Sequence, residues 1–306
     1  MKRKHSSKKI TLVALAVICC VLVLTEQNII PEASIEKAEL PVKIGQEPVR
    51  KRPSAFDKKS GSSSEKKATV NGRQTQNVGI EIPLGPKKMP ERILKRTAYT
   101  LSFNRLTNQP NWVAWCLTDN EIDGVVKRNK DFYEDTDIPE PHRVSPKDYT
   151  GSGYDRGHMA PAADMKFSAL AMKECFYMSN ICPQTHTLNG GGWEKVEEAC
   201  RRWAEKYGEI YIVCGPVFYD KKHKSIGKEH SVTVPDAFFK CVYGVVKNQP
   251  QAIAFIFRNT SAKQKMDEAA TSVDEAEKIT GMNFFYMLPD EVEEKVESTY
   301  NLKDWQ

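Results

Sequence analysis

A short segment, residues 153–161, concentrates side chains that can move protons and hold anions. Asp155, Arg156 and His158 lie within four residues of one another, with Gly157 between the last two. Imidazole exchanges protons near neutral pH, a neighbouring carboxylate can orient it, and a guanidinium binds an anion with fixed geometry. The segment is also rich in glycine and proline, so a plain surface turn is the alternative interpretation.

Three polar residues downstream are the natural partners of this segment. Asn180 lies in a polar break, Asn189 precedes three glycines, and Glu197 follows Asn189 by eight residues. Eight residues are about two helical turns, so Asn189 and Glu197 share one side of a helix. Carboxamide and carboxylate oxygens suit Mg²⁺, which usually keeps several of its water ligands. The spacing is compatible with direct metal binding by Asn189, with Glu197 reaching the ion through water.

A structural interpretation of the same residues stays open, whereas other chemistries lack their motifs. Asn189 is a good helix N-cap, and Glu197 is an ordinary exposed helix residue. The helix dipole disfavours a cation at the helix N-terminus by about 0.3–1 kcal/mol. This cost is small beside the attraction between the cation and a bound phosphate. Cys175, Cys182 and His186 lack the paired spacing of a zinc site. No Gly-x-Ser-x-Gly turn supports a serine nucleophile.

Hydrophobic patterning predicts an α+β domain that contains these residues. Apolar alternation favours strands at 99–103, 112–117, 209–217, 231–234, 238–246 and 252–257. Helical spacing favours helices at 165–178, 194–207, 272–280 and 289–298. In the first helix we expect Leu170, Met172 and Phe176 to be packed. The polar, proline-containing stretch 119–150 reads as a long loop. Strands on either side of a helical middle argue against the alternating order of a parallel sheet.

The N-terminal third has a different character. Residues 1–9 are cationic and residues 10–24 are almost wholly apolar, the layout of an export signal or membrane anchor. As a helix, 15 residues span about 22 Å, short of the roughly 30 Å hydrocarbon core. We therefore expect an extracytoplasmic location, periplasmic or secreted, with residues 10–24 anchoring the chain in the inner membrane if they are not removed. Residues 25–92 read as a flexible basic linker, and residues 93–306 as the folded domain.

Net charge does not by itself indicate a polyanionic partner. The chain carries +5, but residues 1–90 hold 17 basic and 8 acidic side chains, leaving 28 basic and 32 acidic ones beyond them. The basic surplus thus belongs to the N-terminal arm, and a polyanion must be bound by local cations. The last two thirds also hold six cysteines, which allow up to three disulfides in an exported domain.

Taken together, the motifs resemble those of the DNA/RNA non-specific endonuclease family, the ββα-metal or His-Me finger nucleases. The family's Asp-Arg-Gly-His-x-Ala-Pro signature matches residues 155–161, and its Ser-Asn-Ile-x-Pro-Gln element matches residues 179–184. Its Leu-Asn-x-Gly-x-Trp run, followed two turns later by glutamate, matches residues 188–193 and Glu197. The similarity extends from about residue 99 to 257. It implies an antiparallel sheet core flanked by helices.

The resemblance implies a role for each matched residue. His158 is expected to be the general base that takes a proton from the attacking water. Asn189 is expected to be the direct ligand of Mg²⁺, with Mn²⁺ as an alternative ion, and Glu197 is expected to hold metal-bound water. Asn180 is expected to help position the site, and Asp155 is expected to be structural or orienting. Each of these roles follows from the motif match.

Phosphate binding is assigned to cations near the motifs. Arg156 contacts phosphate by resemblance, and Arg128 is the best match to an arginine that the family uses upstream of its signature. The remaining local cations form a basic loop: Lys221, Lys222, Lys224 and Lys228.

The implied function is a metal-dependent endonuclease that cuts phosphodiester bonds of DNA and RNA with little sequence preference. Two alternatives stay open: a narrower phosphodiesterase, and a catalytically silent nucleic-acid-binding protein on the same scaffold. The expected partners are DNA and RNA, together with a membrane if residues 10–24 are retained. A second copy of the chain, as a homodimer, also stays open.

Overall fold

The computed structural model describes residues 79–219 and 222–306, and a seven-stranded antiparallel sheet lies at their centre. The strands follow one another across the sheet in the order β1-β2-β3-β6-β9-β10-β11. Two small antiparallel pairs, β4-β5 and β7-β8, lie outside it. The strands are β1 (Arg92–Lys95), β2 (Thr100–Asn104), β3 (Gln109–Thr118), β4 (Asp155–His158), β5 (Ile181–Gln184), β6 (Glu209–Val217), β7 (Ser225–Ile226), β8 (Val232–Thr233), β9 (Ala237–Val246), β10 (Gln249–Arg258) and β11 (Ala270–Thr271).

Helices pack on both faces of this sheet, as the predicted α+β fold requires. They are α1 (Asp119–Ile122), α2 (Ala169–Glu174), α3 (Glu194–Tyr207), α4 (Met266–Ala269), α5 (Val273–Thr280), α6 (Asp290–Ser298) and α7 (Leu302–Trp305). Strand alternation divides the core in two. On β9, Phe238 and Val242 belong to the cluster that packs against α3, whereas Phe239 and Cys241 belong to the cluster that packs against α5 and α6.

The helix predicted at 165–178 is much shorter than expected. Only Ala169–Glu174 is helical, because residues 162–164 form a separate 3-10 turn and the Ser168 hydroxyl caps the new helix by accepting from the Ala171 amide. Met172 and Phe176 are buried as predicted, but Leu170 is 54% exposed. A single turn and a half buries only one narrow face, so the expected apolar stripe is not continuous.

The linker boundary predicted at residue 93 lies too late in the chain. Ile80 is buried in the core cluster beneath α5 and α6. Leu84 exchanges two backbone hydrogen bonds with Asn283, at 2.8 and 2.9 Å. Residues 79–92 therefore belong to the folded part, because a buried side chain and paired backbone groups fix them there. The rest of the predicted linker and the apolar segment 10–24 lie outside the described residues.

Two findings concern the membrane and the cysteines. None of the helices within residues 79–219 and 222–306 is long and apolar enough to span a membrane. The six cysteines in these ranges are all free thiols, and five of them are buried. The disulfides allowed by the sequence are thus not formed here.

Candidate active site

Strand β4 carries the Asp155–His158 signature, and β5 pairs with it residue for residue. His158 lies opposite Ile181, and Gly157 lies opposite Cys182. A Cβ on Gly157 would lie 2.0 Å from the side-chain oxygen of Gln184, so any larger residue would have to displace this buried side chain. The sequence offered a surface turn as the alternative interpretation of the first segment and indicated a polar break at the second. Each strand has four residues, too few for a period, and the pairing partner is remote in sequence.

His158 is buried in an aromatic environment. Its ring centroid lies 5.3 Å from that of Phe132 and 4.7 Å from that of Phe176. Burial, with a smaller contribution from the positive charge of Arg128, lowers the pKa of His158 to about 3. Nε2 is buried without a hydrogen-bond partner in the described part of the chain. The imidazole is therefore neutral at physiological pH, and one of its two ring nitrogens carries a lone pair that can accept a proton.

Each predicted arginine lies over one of the two phenyl rings that contact this imidazole. The guanidinium carbon of Arg128 lies 5.1 Å from the Phe176 ring centroid, and that of Arg156 lies 5.4 Å from the Phe132 ring centroid. Arg156 also donates through Nη2 to the carbonyl oxygen of Pro146 at 2.6 Å. Arg128 is exposed, and its charge reaches His158. The structure thus places the loosely assigned upstream arginine next to the predicted base.

Asn189 and Asp155 form a second polar group near the same strand. The Asn189 amide nitrogen donates to Asp155 Oδ2 at 3.0 Å, and His186 Nδ1 lies 2.9 Å from the same oxygen. Because its amide nitrogen is held by a carboxylate, the side-chain oxygen of Asn189 is directed away from Asp155. That oxygen makes no hydrogen bond to any residue in the described ranges. Asp155 consequently orients Asn189, in addition to lying next to the signature arginine.

Asn180 lies in the protein interior, where backbone groups satisfy its side chain. It is fully buried. Its side-chain oxygen accepts from the Ala160 amide at 2.9 Å, and its amide nitrogen donates to the carbonyl oxygens of Ala160 and Cys175. These bonds satisfy the carboxamide and fix the chain directly after His158. These contacts favour a positioning role for Asn180 over direct participation in the reaction, and both roles stay predictions.

Glu197 occupies the first turn of α3, above a set of buried charges. Burial raises the pKa of Glu197 to about 7, and the positive charge of Lys240 opposes that rise. Asp164 is 2% exposed and accepts from Arg201 at 3.0 Å and from the Trp115 indole at 3.2 Å. The sequence interpretation of Glu197 as an exposed helix residue is therefore wrong: it is half-buried and electrostatically coupled to the core.

Lys240 lies beneath this region and is 1% exposed. Its ammonium nitrogen lies 4.4 Å from the Trp193 ring centroid and 5.0 Å from that of Trp115. Trp193 in turn donates its indole N–H to the backbone oxygen of His158 at 3.3 Å. The attraction of nearby anionic groups, Glu197 among them, outweighs burial and raises the pKa of Lys240, so it stays charged. The buried cation thus lies between the strand of the base and the helix of Glu197.

The buried carboxylate of Asp148 connects the basic loop to the turn that binds Arg156. Asp148 Oδ1 accepts from the backbone amides of Lys228, Glu229 and His230, and its Oδ2 pairs with His230 Nδ1 at 3.0 Å. These hydrogen bonds lower the pKa of Asp148 to about 2 against the opposing effect of burial. Asp148 belongs to the turn Pro146–Tyr149, whose first carbonyl holds Arg156.

The predicted lysines of the basic loop are exposed where the structure describes them. Lys222 and Lys224 are exposed on the chain leading into β7, and Lys228 is exposed on the turn after it. Lys221 lies outside the described residues. The described members of the basic loop are thus solvent-facing cations on a segment anchored beside the site.

The site contains residues that the motifs did not point to. Phe132 and Phe176 surround the imidazole, and Asp164 and Lys240 supply buried charge. Phe132 sits in the irregular stretch 119–150, where periodicity gives no signal. Lys240 was detectable as the only charge in an otherwise apolar strand run, 237–246. A charge in such a run is costly to bury, which is a signal of function or pairing.

Known proteins match this chain over the same region. The family model for DNA/RNA non-specific endonucleases matches residues 84–291. Nuclease 1, mitochondrial, of Schizosaccharomyces pombe is 34% identical over 209 residues, covering 62% of this chain and 65% of that protein. Nuclease C1 of Cunninghamella echinulata var. echinulata is 34% identical over 207 residues, covering 63% and 82%. The chain spans less than two thirds of the yeast relative and 55% of the human nuclease EXOG, mitochondrial.

A solved structure supports the same assignment. A crystal structure of the EndoG/EndoGI complex, which concerns inhibition of EndoG, superposes with a TM-score of 0.61 at 28% identity. The alignment covers 65% of this chain and 87% of that one. Because the family model spans more than half of the sequence and includes the whole His158 site, the chain belongs to the DNA/RNA non-specific endonuclease family.

Proposed function

We propose that this protein is a metal-dependent endonuclease that hydrolyses phosphodiester bonds of DNA and RNA with little sequence preference. The observation that carries the proposal is the neutral, buried His158 imidazole, whose two neighbouring phenyl rings each contact an arginine. The strand of His158 also holds Asp155, the carboxylate that orients Asn189. A general base, anion-binding groups and a hard oxygen donor are the components that hydrolysis of a phosphodiester requires.

His158 is the base in this proposal. It accepts a proton from the water that attacks phosphorus, and its pKa well below neutrality keeps it unprotonated until then. A pKa that low also makes a weak base. A phosphate bound to Arg128 would offset the charge that contributes to the depressed pKa, so substrate binding shifts the pKa of His158 upwards. The base is thereby strengthened when its substrate arrives.

Arg128 and Arg156 bind the non-bridging oxygens of the phosphate. Each guanidinium recognises the charge and the oxygen geometry of the phosphate, and does not contact the bases. Contacts to phosphate carry no sequence information, and none of the proposed steps uses the ribose 2′-hydroxyl. DNA and RNA are therefore both substrates in this proposal.

The donor set fits a hard divalent cation. The free side-chain oxygen of Asn189 would bind the ion directly. Glu197, in the first turn of α3, would hold water bound to the ion. We propose Mg²⁺, with Mn²⁺ as a substitute, because oxygen donors with many retained waters suit Mg²⁺. When bound, the cation would supply Lewis-acid stabilisation of charge on the phosphate and the leaving oxygen.

The location outside the cytoplasm and the membrane anchor at residues 10–24 are also proposals. They rest on the cationic flank and the apolar run in the sequence. Fractionation of the full chain, with protease protection of the domain, tests them.

The nuclease proposal is tested by digesting supercoiled plasmid DNA and a long RNA with and without chelator. Cleavage of both that needs Mg²⁺ or Mn²⁺ supports it, and a His158→Ala protein prepared in parallel reveals any contaminating nuclease. Turnover of a short chromogenic phosphodiester without cleavage of the polymers would favour the narrower phosphodiesterase. Binding without any turnover would favour the silent nucleic-acid-binding protein.

A further inference from the structure

The orientation of His158 has an unusual physical origin. A catalytic imidazole is commonly held by a hydrogen bond from its second nitrogen. Here Nε2 has no partner among the described residues. Aromatic rings surround the imidazole instead: Phe176 meets it edge to face at 78°, and Phe132 is tilted by 43°. The two phenyl rings also contact each other, with centroids 5.1 Å apart.

The same two rings hold the arginines. The Arg156 guanidinium lies over Phe132, and the Arg128 guanidinium lies over Phe176, at 5.4 and 5.1 Å from the ring centroids. A cation over an aromatic face is attracted by the negative face of the ring quadrupole. Each phenyl ring thus contacts the predicted base and one predicted phosphate-binding group. We call Phe132 and Phe176 together the aromatic bracket.

Backbone pairing explains how the loop brings Phe132 and Arg128 to His158. Tyr133 and Tyr177 form an isolated parallel bridge. The Tyr133 amide donates to the carbonyl oxygen of Phe176 at 3.0 Å, and the Met178 amide donates to the carbonyl oxygen of Tyr133 at 2.8 Å. The loop is therefore fixed beside the segment that leads into β5, with Phe132 and Phe176 each adjacent to a bridged residue.

We propose that Phe132 and Phe176 are positioning residues, which align His158 with Arg128 and Arg156 before the phosphate binds. The inference rests on the nuclease function proposed above. Simple core packing is the competing explanation, and it predicts that any apolar side chain of similar size suffices. The alignment role requires the ring face itself, because an aliphatic side chain has no quadrupole to hold a guanidinium.

A double-mutant cycle separates the two explanations. Phe132→Leu is the first variant, because Phe132 is only half-buried and its loss threatens the fold least. We expect kcat/KM on plasmid DNA to fall about tenfold or more, mainly through kcat, since small misplacements of reacting groups are costly. In an Arg156→Ala background, Phe132→Leu should lower kcat/KM by less than about threefold. The guanidinium that the Phe132 ring holds is already absent from that protein. Equal costs in both backgrounds would refute the alignment role.

Two further variants complete the comparison. Phe132→Tyr keeps the ring face and should retain near-normal kcat. Phe284→Leu removes a fully buried phenyl ring from the cluster on the other side of the sheet. It should lower the melting temperature without changing kcat of the folded protein. A loss of kcat in Phe284→Leu as large as in Phe132→Leu would show that destabilisation alone accounts for the effect.

A readout independent of catalysis keeps this inference distinct from the nuclease proposal. Nitrogen-15 relaxation of the arginine Nε–H groups reports how firmly each guanidinium is held. We expect increased mobility of Arg156 in Phe132→Leu, increased mobility of Arg128 in Phe176→Leu, and neither change in Phe284→Leu. If the wild-type protein cleaves no nucleic acid, the nuclease proposal fails and the relaxation data still decide the positioning claim. Unchanged mobility in both bracket variants would overturn it.

Discussion

The two faces of strand β9 are built for different purposes. Phe239, Cys241 and Tyr243 point into the cluster under α5 and α6, where the strand contributes only uncharged side chains. Lys240 lies on the opposite face with Phe238 and Val242, and its fully buried ammonium is near Glu197 and Asp164. Buried charge costs several kcal/mol unless it is compensated. One strand therefore stabilises the fold on one face and supplies the electrostatics of the site on the other.

This difference implies that stability and activity can be changed separately. Replacing a side chain on the α5 and α6 face should lower the free energy of unfolding and leave the kinetics intact. Replacing a charged group on the α3 face should change the kinetics, which substitutions on the other face leave intact, although it also leaves the remaining buried charges uncompensated.

The largest expected effect is on the imidazole. His158→Ala should reduce the cleavage rate by about 10²–10⁴-fold, the usual contribution of a general base. The melting temperature should change by only a few degrees, and DNA binding in the presence of chelator should persist. Phe239→Ala is the control from the other face: it should cost about 3–5 kcal/mol of stability with normal kcat for the folded fraction. Comparable cleavage by His158→Ala would rule out the general-base role.

Next in size is the amide that we assign to the metal. Asn189→Ala should raise the Mg²⁺ concentration for half-maximal activity by about 10–100-fold, as found when metal-site groups are removed. The expected plateau at saturating Mg²⁺ is closer to wild type. Asp155→Asn should show a smaller shift in the same direction, because the Asn189 amide nitrogen loses a carboxylate acceptor. A metal titration of Asn189→Ala that overlays the wild-type curve would contradict the assignment.

Lys240→Met tests the comparison directly. The Lys240 charge lowers the pKa of Glu197, which is about 7 without a metal, so its removal should raise that pKa further. If Glu197 must be ionised to hold metal-bound water, the acidic limb of the kcat/KM profile shifts to higher pH, and activity at pH 7 falls about tenfold. The free energy of unfolding should also fall, because Glu197 and Asp164 lose a buried positive charge. An unchanged pH profile would show that Lys240 has only a packing role.

The smallest expected effect concerns the basic loop. Lys224→Ala should weaken DNA binding about equally for all sequences and reduce the slope of log K against log salt by about one. Lys222→Ala should behave in the same way. Lys278 makes a surface ion pair with Glu275 on α5 and is the matched control, for which we expect no change in slope. Fluorescence anisotropy across a range of salt concentrations measures the difference.

The sequence predicted the large elements well, for a simple physical reason. Strands such as Glu209–Val217 and helices such as Glu194–Tyr207 are long enough for their apolar period to be visible. Short elements were missed because four residues carry no period. No strand was therefore predicted at β4, for which a turn was the alternative interpretation, or at β5, which the sequence indicated as a polar break. The helix expected at 165–178 was overestimated, since apolar spacing continues past the point where a cap and a 3-10 turn interrupt it.

The candidate site divides along the same line. By itself the sequence determined the residue types of the site, which are a histidine, two asparagines, an arginine and a glutamate. The order and spacing of the three motifs are properties of the linear chain. Only the tertiary structure decided their environments. It buried Asn180 and half-buried Glu197, brought Arg128 to Phe176, and placed Lys240 beneath both motif segments. Burial, pKa and orientation depend on neighbours from distant parts of the chain, and no local pattern encodes them.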